Sequence, residues 1–196
     1  HGTNRRQRQM CIRDSNVCEA VIQSFNLWEG QREFIAEAFK DGENQFKDGN
    51  FSRSDTQLCL EVVDLDLYKT LNGFVKKAFE QYTSVYSGIL QNNDPVSTWT
   101  TKVQKTKAGG GYHQWHCENG QFLYRDRVLA WMVYLNTVPS QSGGGTDFLH
   151  QKLTLQPEAG TIVLWPASYT HVHRGGFLTG NVDKYIATGW FIREPT

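Results

Sequence analysis

Three stretches decide the fold: Val128–Asn136 (VLAWMVYLN), Thr161–Trp165 (TIVLW) and Tyr185–Ile192 (YIATGWFI). Each is a short run rich in β-branched and aromatic residues, the composition of a strand. Around them, from about residue 98 onward, the period is two. Further β-rich runs fall at Thr98–Thr106, Tyr112–Cys117, Leu153–Leu155 and Thr170–Val172. Turn signals separate them: Gly109-Gly110-Gly111, Asn119-Gly120, Gly143-Gly144-Gly145, Pro157 to Gly160, and Gly175-Gly176. Many short strands at regular spacing predict a sandwich or barrel.

Upstream the period changes to that of helices. Ser15 is placed to cap a helix carrying Val17, Cys18, Val21, Ile22 and Phe25, and Trp28 to Phe39 reads as a second, shorter helix. Lys40 to Thr56 is polar and rich in Gly and Asn, hence loop, and Thr56 to Val63 reads as a strand. Asp64 to Tyr86 places Leu67, Leu71, Phe74, Val75, Ala78, Phe79 and Tyr82 on one face of a longer amphipathic helix. Helices first and strands later make an α+β chain, predominantly β. At 196 residues, without repeat or linker, residues 16–196 form a single domain: helical support over 16–90 and a β core over about 98–193.

Composition removes several classes of function. No apolar run is long enough to cross a membrane as a helix. Formal net charge is zero, but residues 1–15 hold four arginines against Asp14; without them 16 basic and 19 acidic residues remain. That balance gives no clustered basic surface for nucleic acid. Residues 1–15 lack the apolar segment of a signal peptide and read as a disordered or artefactual tail. Cys11, Cys18, Cys59 and Cys117 form no CxxC pair and read as reduced thiols of a cytoplasmic protein.

Five of the six histidines lie between 113 and 173. His116-Cys117-Glu118 is the sharpest pattern among them. In a strand, positions i and i+2 share a face, so imidazole and carboxylate project together. With a histidine from a distant strand they would complete a two-His, one-carboxylate facial set that leaves open positions for iron chemistry. His171 and His173 are both candidates for the third ligand, and strand alternation cannot separate them.

After the HxE come the run Arg127 to Asn136, then Gly144-Gly145-Thr146-Asp147-Phe148, Pro157 to Gly160, Trp165-Pro166, His173, Gly180, Lys184-Tyr185 and Trp190-Phe191. In that order and spacing the chain resembles the prolyl 4-hydroxylase-like branch of the 2-oxoglutarate/Fe(II)-dependent dioxygenases, over about residues 98–193. The resemblance implies a double-stranded β-helix, or jelly roll, flanked by the N-terminal helices. It implies Fe(II) on His116, Glu118 and His173, since the family's interval from ligand to basic residue fits His173 and Lys184 better than His171. It further implies that Lys184 and Tyr134 hold the far carboxylate of 2-oxoglutarate. Thr188 and Trp190, in alternation with Lys184, line the same pocket.

The implied activity is hydroxylation of a C–H bond in a prolyl or other peptidyl side chain or a small molecule. Succinate and CO2 are the coproducts and ascorbate the reductant. Three positions depart from the family pattern: Glu118 stands for the usual Asp, Ala130 for a Thr, and Tyr112 falls one place early. Glu118 and Ala130 support the alternative of a non-catalytic jelly-roll binding module with a degraded site. A nucleic-acid demethylase of the same superfamily is opposed by Lys184, where that branch has an Arg-based signature. Substrate identity is expected to lie with residues 40–56, 88–97 and 138–152.

Overall fold

The helical half forms where the apolar periodicity is strongest. In the computed structural model, which describes residues 8–11, 15–45, 51–90 and 95–194, α1 spans Ser15–Glu29. The short α2 (Leu60–Val63) leads into α3 (Leu65–Val85), whose first turn is capped by Asp64 accepting from the Leu67 amide at 3.0 Å. The described segment between α1 and residue 39 is not a second α-helix. Gly30 follows α1, and two 3-10 turns, Arg32–Phe34 and Ala36–Ala38, carry the chain onward.

The strands, in chain order, are β1 (Arg8–Cys11), β2 (Phe39–Gln45), β3 (Phe51–Cys59), β4 (Val96–Thr106), β5 (Gly111–Tyr112), β6 (Arg127–Tyr134), β7 (Thr146–Phe148), β8 (Leu153–Leu155), β9 (Thr161–Pro166), β10 (His173–Gly175) and β11 (Lys184–Arg193). The large sheet runs β1-β9-β6-β11-β4-β3-β2, with β5 added against β3; the small sheet is β10-β7-β8. All pairings are antiparallel. Together with the helices this is the expected α+β architecture with a double-stranded β-helix core.

β6 shows why its sequence is apolar throughout. Leu129, Trp131 and Val133 face the helices and pack with Phe25, Leu71 and Val75, while Ala130, Met132 and Tyr134 face inward with Phe148, Val163 and Trp165. A strand covered on both faces has no polar side to alternate with. Leu71 is fully buried in the helix–sheet layer. Leu71→Ala is expected to cost about 2–5 kcal/mol, read as a lower denaturant midpoint, because the rigid layer collapses only partly around the void.

Three local expectations change. Within the expected loop Lys40 to Thr56, the described residues 40–45 and 51–56 are strand: β2 and β3 pair there, their polar composition reflecting a strand ribbon with one face in solvent. The expected strand Thr56–Val63 ends at Cys59 and turns into α2. Part of the supposed tail is a strand, since Arg8–Cys11 pairs with Thr161–Leu164 of β9. Without β1, β9 would be the edge of the sheet, and unpaired edge groups accept a further strand where one is offered. The remainder of residues 1–15, apart from Ser15 at the start of α1, lies outside the described residues.

Candidate metal centre and cosubstrate cavity

The site begins as backbone pairing. His116 and His173 form an antiparallel bridge and exchange both hydrogen bonds: the His116 amide to the His173 carbonyl at 3.0 Å and the reverse at 2.9 Å. The rings of such a directly opposed pair stand side by side, here with centroids 4.4 Å apart. Glu118 lies in the following turn, its amide held by the Ala167 carbonyl at 2.9 Å. The strand expected over Tyr112–Cys117 is thus reduced to β5 and a single bridge, yet His116 and Glu118 still converge.

One donor atom each from His116, Glu118 and His173 lies within 4.8 Å of the others. Glu118 Oε1 is 3.6 Å from His116 Nε2 and 3.3 Å from His173 Nε2. Two ligand atoms at right angles, each about 2.1 Å from one ion, would stand about 3 Å apart, so the spacing fits a shared cation. Both imidazoles are oriented through Nδ1, His116 to the Gln114 carbonyl (2.8 Å) and His173 to the His171 carbonyl (2.9 Å). A carbonyl only accepts, so Nδ1 of each ring carries a proton, and Nε2 is the atom turned to the common point, protonated toward Glu118 in the metal-free protein and available to a metal once deprotonated. Burial pushes the Glu118 carboxyl up, but hydrogen bonds and charge from His116 and His173 outweigh it and hold it well below the usual carboxylate range.

The second oxygen of Glu118 is equally fixed. Trp190 Nε1 donates to Oε2 at 2.8 Å and Arg127 Nη1 approaches it at 3.3 Å. The Arg127 guanidinium is sandwiched between Tyr124 and Trp190, its Cζ 3.9 and 3.6 Å from the two ring centroids. The longer acidic side chain is therefore clamped rather than loose. Trp190, expected in the pocket wall, lines the cavity and also positions Glu118. Arg127 is a site residue that sequence reasoning missed, although a charge heading an otherwise apolar strand was the available signal.

His171 stands apart from the cluster. The expected strand Thr170–Val172 is instead a 3-10 turn, Tyr169–His171, so the i, i+2 argument does not hold there. The His171 ring is buried with Nδ1 on Thr170 Oγ1 at 3.0 Å.

A cavity of about 410 Å³ opens beside the cluster, lined among others by His116, Glu118, His173, Lys184, Thr188 and Trp190. Lys184 is buried and donates to the Gly144 carbonyl at 2.7 Å, its one polar contact among the described residues. Burial lowers its ammonium to about 8, with Asp55 opposing. Thr188 also lines the cavity, with its hydroxyl donating to the Trp131 carbonyl at 2.8 Å. Tyr134 is fully buried behind this wall. Its hydroxyl lies 2.7 Å from Thr146 Oγ1 and 3.3 Å from the Leu155 carbonyl, and Thr146 is the cavity-lining group.

The tryptophans divide in a way alternation alone did not disclose. Trp165 and Trp190 face the interior, Trp131 faces the helices, and Trp99 and Trp115 are exposed. A bulge sets Trp99 on the cavity side of β4. Thr100, at φ 47°, and Thr101 together oppose Gly189, so Trp99 pairs with Trp190 while Lys102 pairs with Thr188. Gly189 is required there, because a Cβ would meet the Thr100 carbonyl and the Trp131 ring.

Residues 101–192 match the family model described as the 2OG-Fe(II) oxygenase superfamily, and the fold is close to those of prolyl 4-hydroxylases. One similar structure is a viral collagen prolyl hydroxylase from Paramecium bursaria Chlorella virus-1 (16% identity, 97% of this chain and 98% of that one, TM-score 0.69). Another is a Pseudomonas putida prolyl-4-hydroxylase (15%, 98% and 95%, TM-score 0.68). A third is a Trichoplax adhaerens prolyl hydroxylase in complex with a hypoxia inducible factor peptide (20%, 97% and 84%, TM-score 0.71). At these identities the likeness is one of fold. A search of curated proteins found no match.

Proposed function

We propose that the protein is an Fe(II)- and 2-oxoglutarate-dependent dioxygenase that hydroxylates a C–H bond of a prolyl, other peptidyl or small-molecule substrate. The observation that carries this reading is the convergence of His116 Nε2, Glu118 Oε1 and His173 Nε2, with both imidazoles held through Nδ1. Three donors on one side are the set that leaves an iron open to other ligands. When bound there, iron and 2-oxoglutarate supply the oxidising power for C–H hydroxylation, with succinate and CO2 as coproducts.

The chain's own residues have separate tasks in this reading. Trp190 and Arg127 hold Glu118 so that one oxygen faces the histidines. Lys184 offers a desolvated ammonium to the far carboxylate of 2-oxoglutarate; Thr188 shapes the wall, and Tyr134 acts by fixing Thr146. Ascorbate as reductant and a reducing, cytoplasmic setting belong to the same proposal, the latter resting on the unbridged thiols of Cys59 and Cys117.

The test is an anaerobic titration of the metal-free protein with Fe(II) and then 2-oxoglutarate, followed in the visible. The expected result is a charge-transfer band that needs both additions. A folded protein that binds iron and develops no band would favour the alternative, a binding module without oxygenase chemistry.

A further inference from the structure

The cavity carries more positive charge than the metal and cosubstrate account for. Among the described residues six cationic side chains line it, Lys40, Arg53, Lys102, Arg127, Arg174 and Lys184, against two carboxylates, Asp55 and Glu118. Most of the six are already committed. Arg53 bonds Asp55 through Nε at 3.0 Å, Arg127 approaches Glu118 at 3.3 Å, and Arg174 reaches Asp147 at 3.1 Å. Lys184 is assigned above to the cosubstrate, and Lys40 is exposed at the rim.

Lys102 is different. It is half-buried on β4, makes no ion pair among the described residues, and holds its Nζ 4.9 Å from the centroid of the Trp190 ring. Trp190 in turn donates to Glu118 Oε2, so one indole separates the ammonium from the metal-ligand set. Lys102 also lines a second cavity of about 350 Å³ with Glu61, Trp99, Thr100, Tyr124, Arg127 and Trp190; its one carboxylate among the described residues, Glu61, is turned to Thr100 and to the Thr101 amide. Burial and the neighbouring Arg127 and Arg53 charges oppose its ionisation, a cost that an anion beside it would offset. A lysine presents a compact point charge suited to a single carboxylate or phosphate group.

We infer that the primary substrate bears an acidic group, a carboxylate or a phosphate, and that Lys102 is the residue that binds it on the wall beside Trp190. The inference rests on the oxygenase reading and names the substrate class for that site. Lys102 is thereby a specificity residue, distinct from Lys184.

The experiment uses the anaerobic protein loaded with Fe(II) and 2-oxoglutarate. Acetate, with acetamide as its neutral twin, and methyl phosphate are titrated in, followed by the visible band and by tryptophan fluorescence. The expected result is a saturable response to acetate or methyl phosphate and none to acetamide; the tighter of the two anions identifies the source of the charge. Lys102→Met is expected to weaken that anion about tenfold or more while leaving the band intact, and Lys102→Arg to retain it. Removing a desolvated cation does not threaten the fold, and the band in the loaded variant reports that the site is formed. Equal responses to acetate and acetamide, no saturable response to either anion, or full anion affinity in Lys102→Met would overturn the assignment. Failure of the band to form in the parent protein would instead overturn the oxygenase reading, and this inference with it.

Discussion

Replacing His173 by alanine is expected to abolish stoichiometric Fe(II) binding, whereas His171→Ala leaves it within a few-fold of the parent. Loss of a residue that only supports a metal ligand costs about 10–100-fold in affinity, and loss of one of three ligands exceeds that. His173 also returns both backbone hydrogen bonds of His116, but alanine keeps those, so the effect isolates the imidazole. His171 is 1% exposed, and its alanine variant is expected to show a lower thermal midpoint with iron retained. Anaerobic Fe(II) titration with a denaturation curve for each variant separates the two effects. Iron lost in His171→Ala and kept in His173→Ala would transfer the ligand role.

The second large effect is expected at Lys184. Truncating one partner of a buried charge pair costs about 2–5 kcal/mol, so Lys184→Ala should weaken 2-oxoglutarate by a factor of about 30 or more. Iron affinity should change little, because Lys184 touches none of the three donors. The pH dependence carries a definite sign. With its pKa lowered to about 8, the lysine is charged and able to hold a carboxylate below that pH. Above it the ligand-free protein loses the proton, so 2-oxoglutarate affinity should fall about tenfold per pH unit. The same shift acts on stability in the opposite direction. Above about pH 8 the unfolded chain holds more protons at this residue than the folded one, so its penalty to folding is relieved as pH rises toward the ordinary lysine value. An affinity independent of pH through this range, or iron and cosubstrate weakened together by Lys184→Ala, would count against the role.

Much of the fold was legible because it rests on periodicity. Leu153–Leu155 is a strand with the bounds its sequence predicts, and α3 differs from the predicted helix by one residue at each end. β2 and most of β3 were not legible, since a polar ribbon with one solvent face has no apolar period to read. Arg8–Cys11 was hidden for a related reason: what recruits it is the edge of β9, a feature of the sheet and not of the segment. The short β7 lay inside GGTDF, where glycines signal a turn more strongly than three residues signal a strand.

The site divides along the same line. By itself the sequence pointed to the class: the order of HxE, the apolar run, GGTDF, His173 and Lys184 carries the resemblance, and all of it falls within the matched residues 101–192. Only the tertiary structure decided how they act. The cross-strand bridge makes His116 and His173 neighbours, and a 3-10 turn removes His171 from their face. The bulge at Thr100 brings Trp99 and Lys102 to one wall, and Trp190 with Arg127 clamps Glu118. These are relations between strands distant in the chain, fixed by hydrogen-bond register and packing, and no local pattern encodes them.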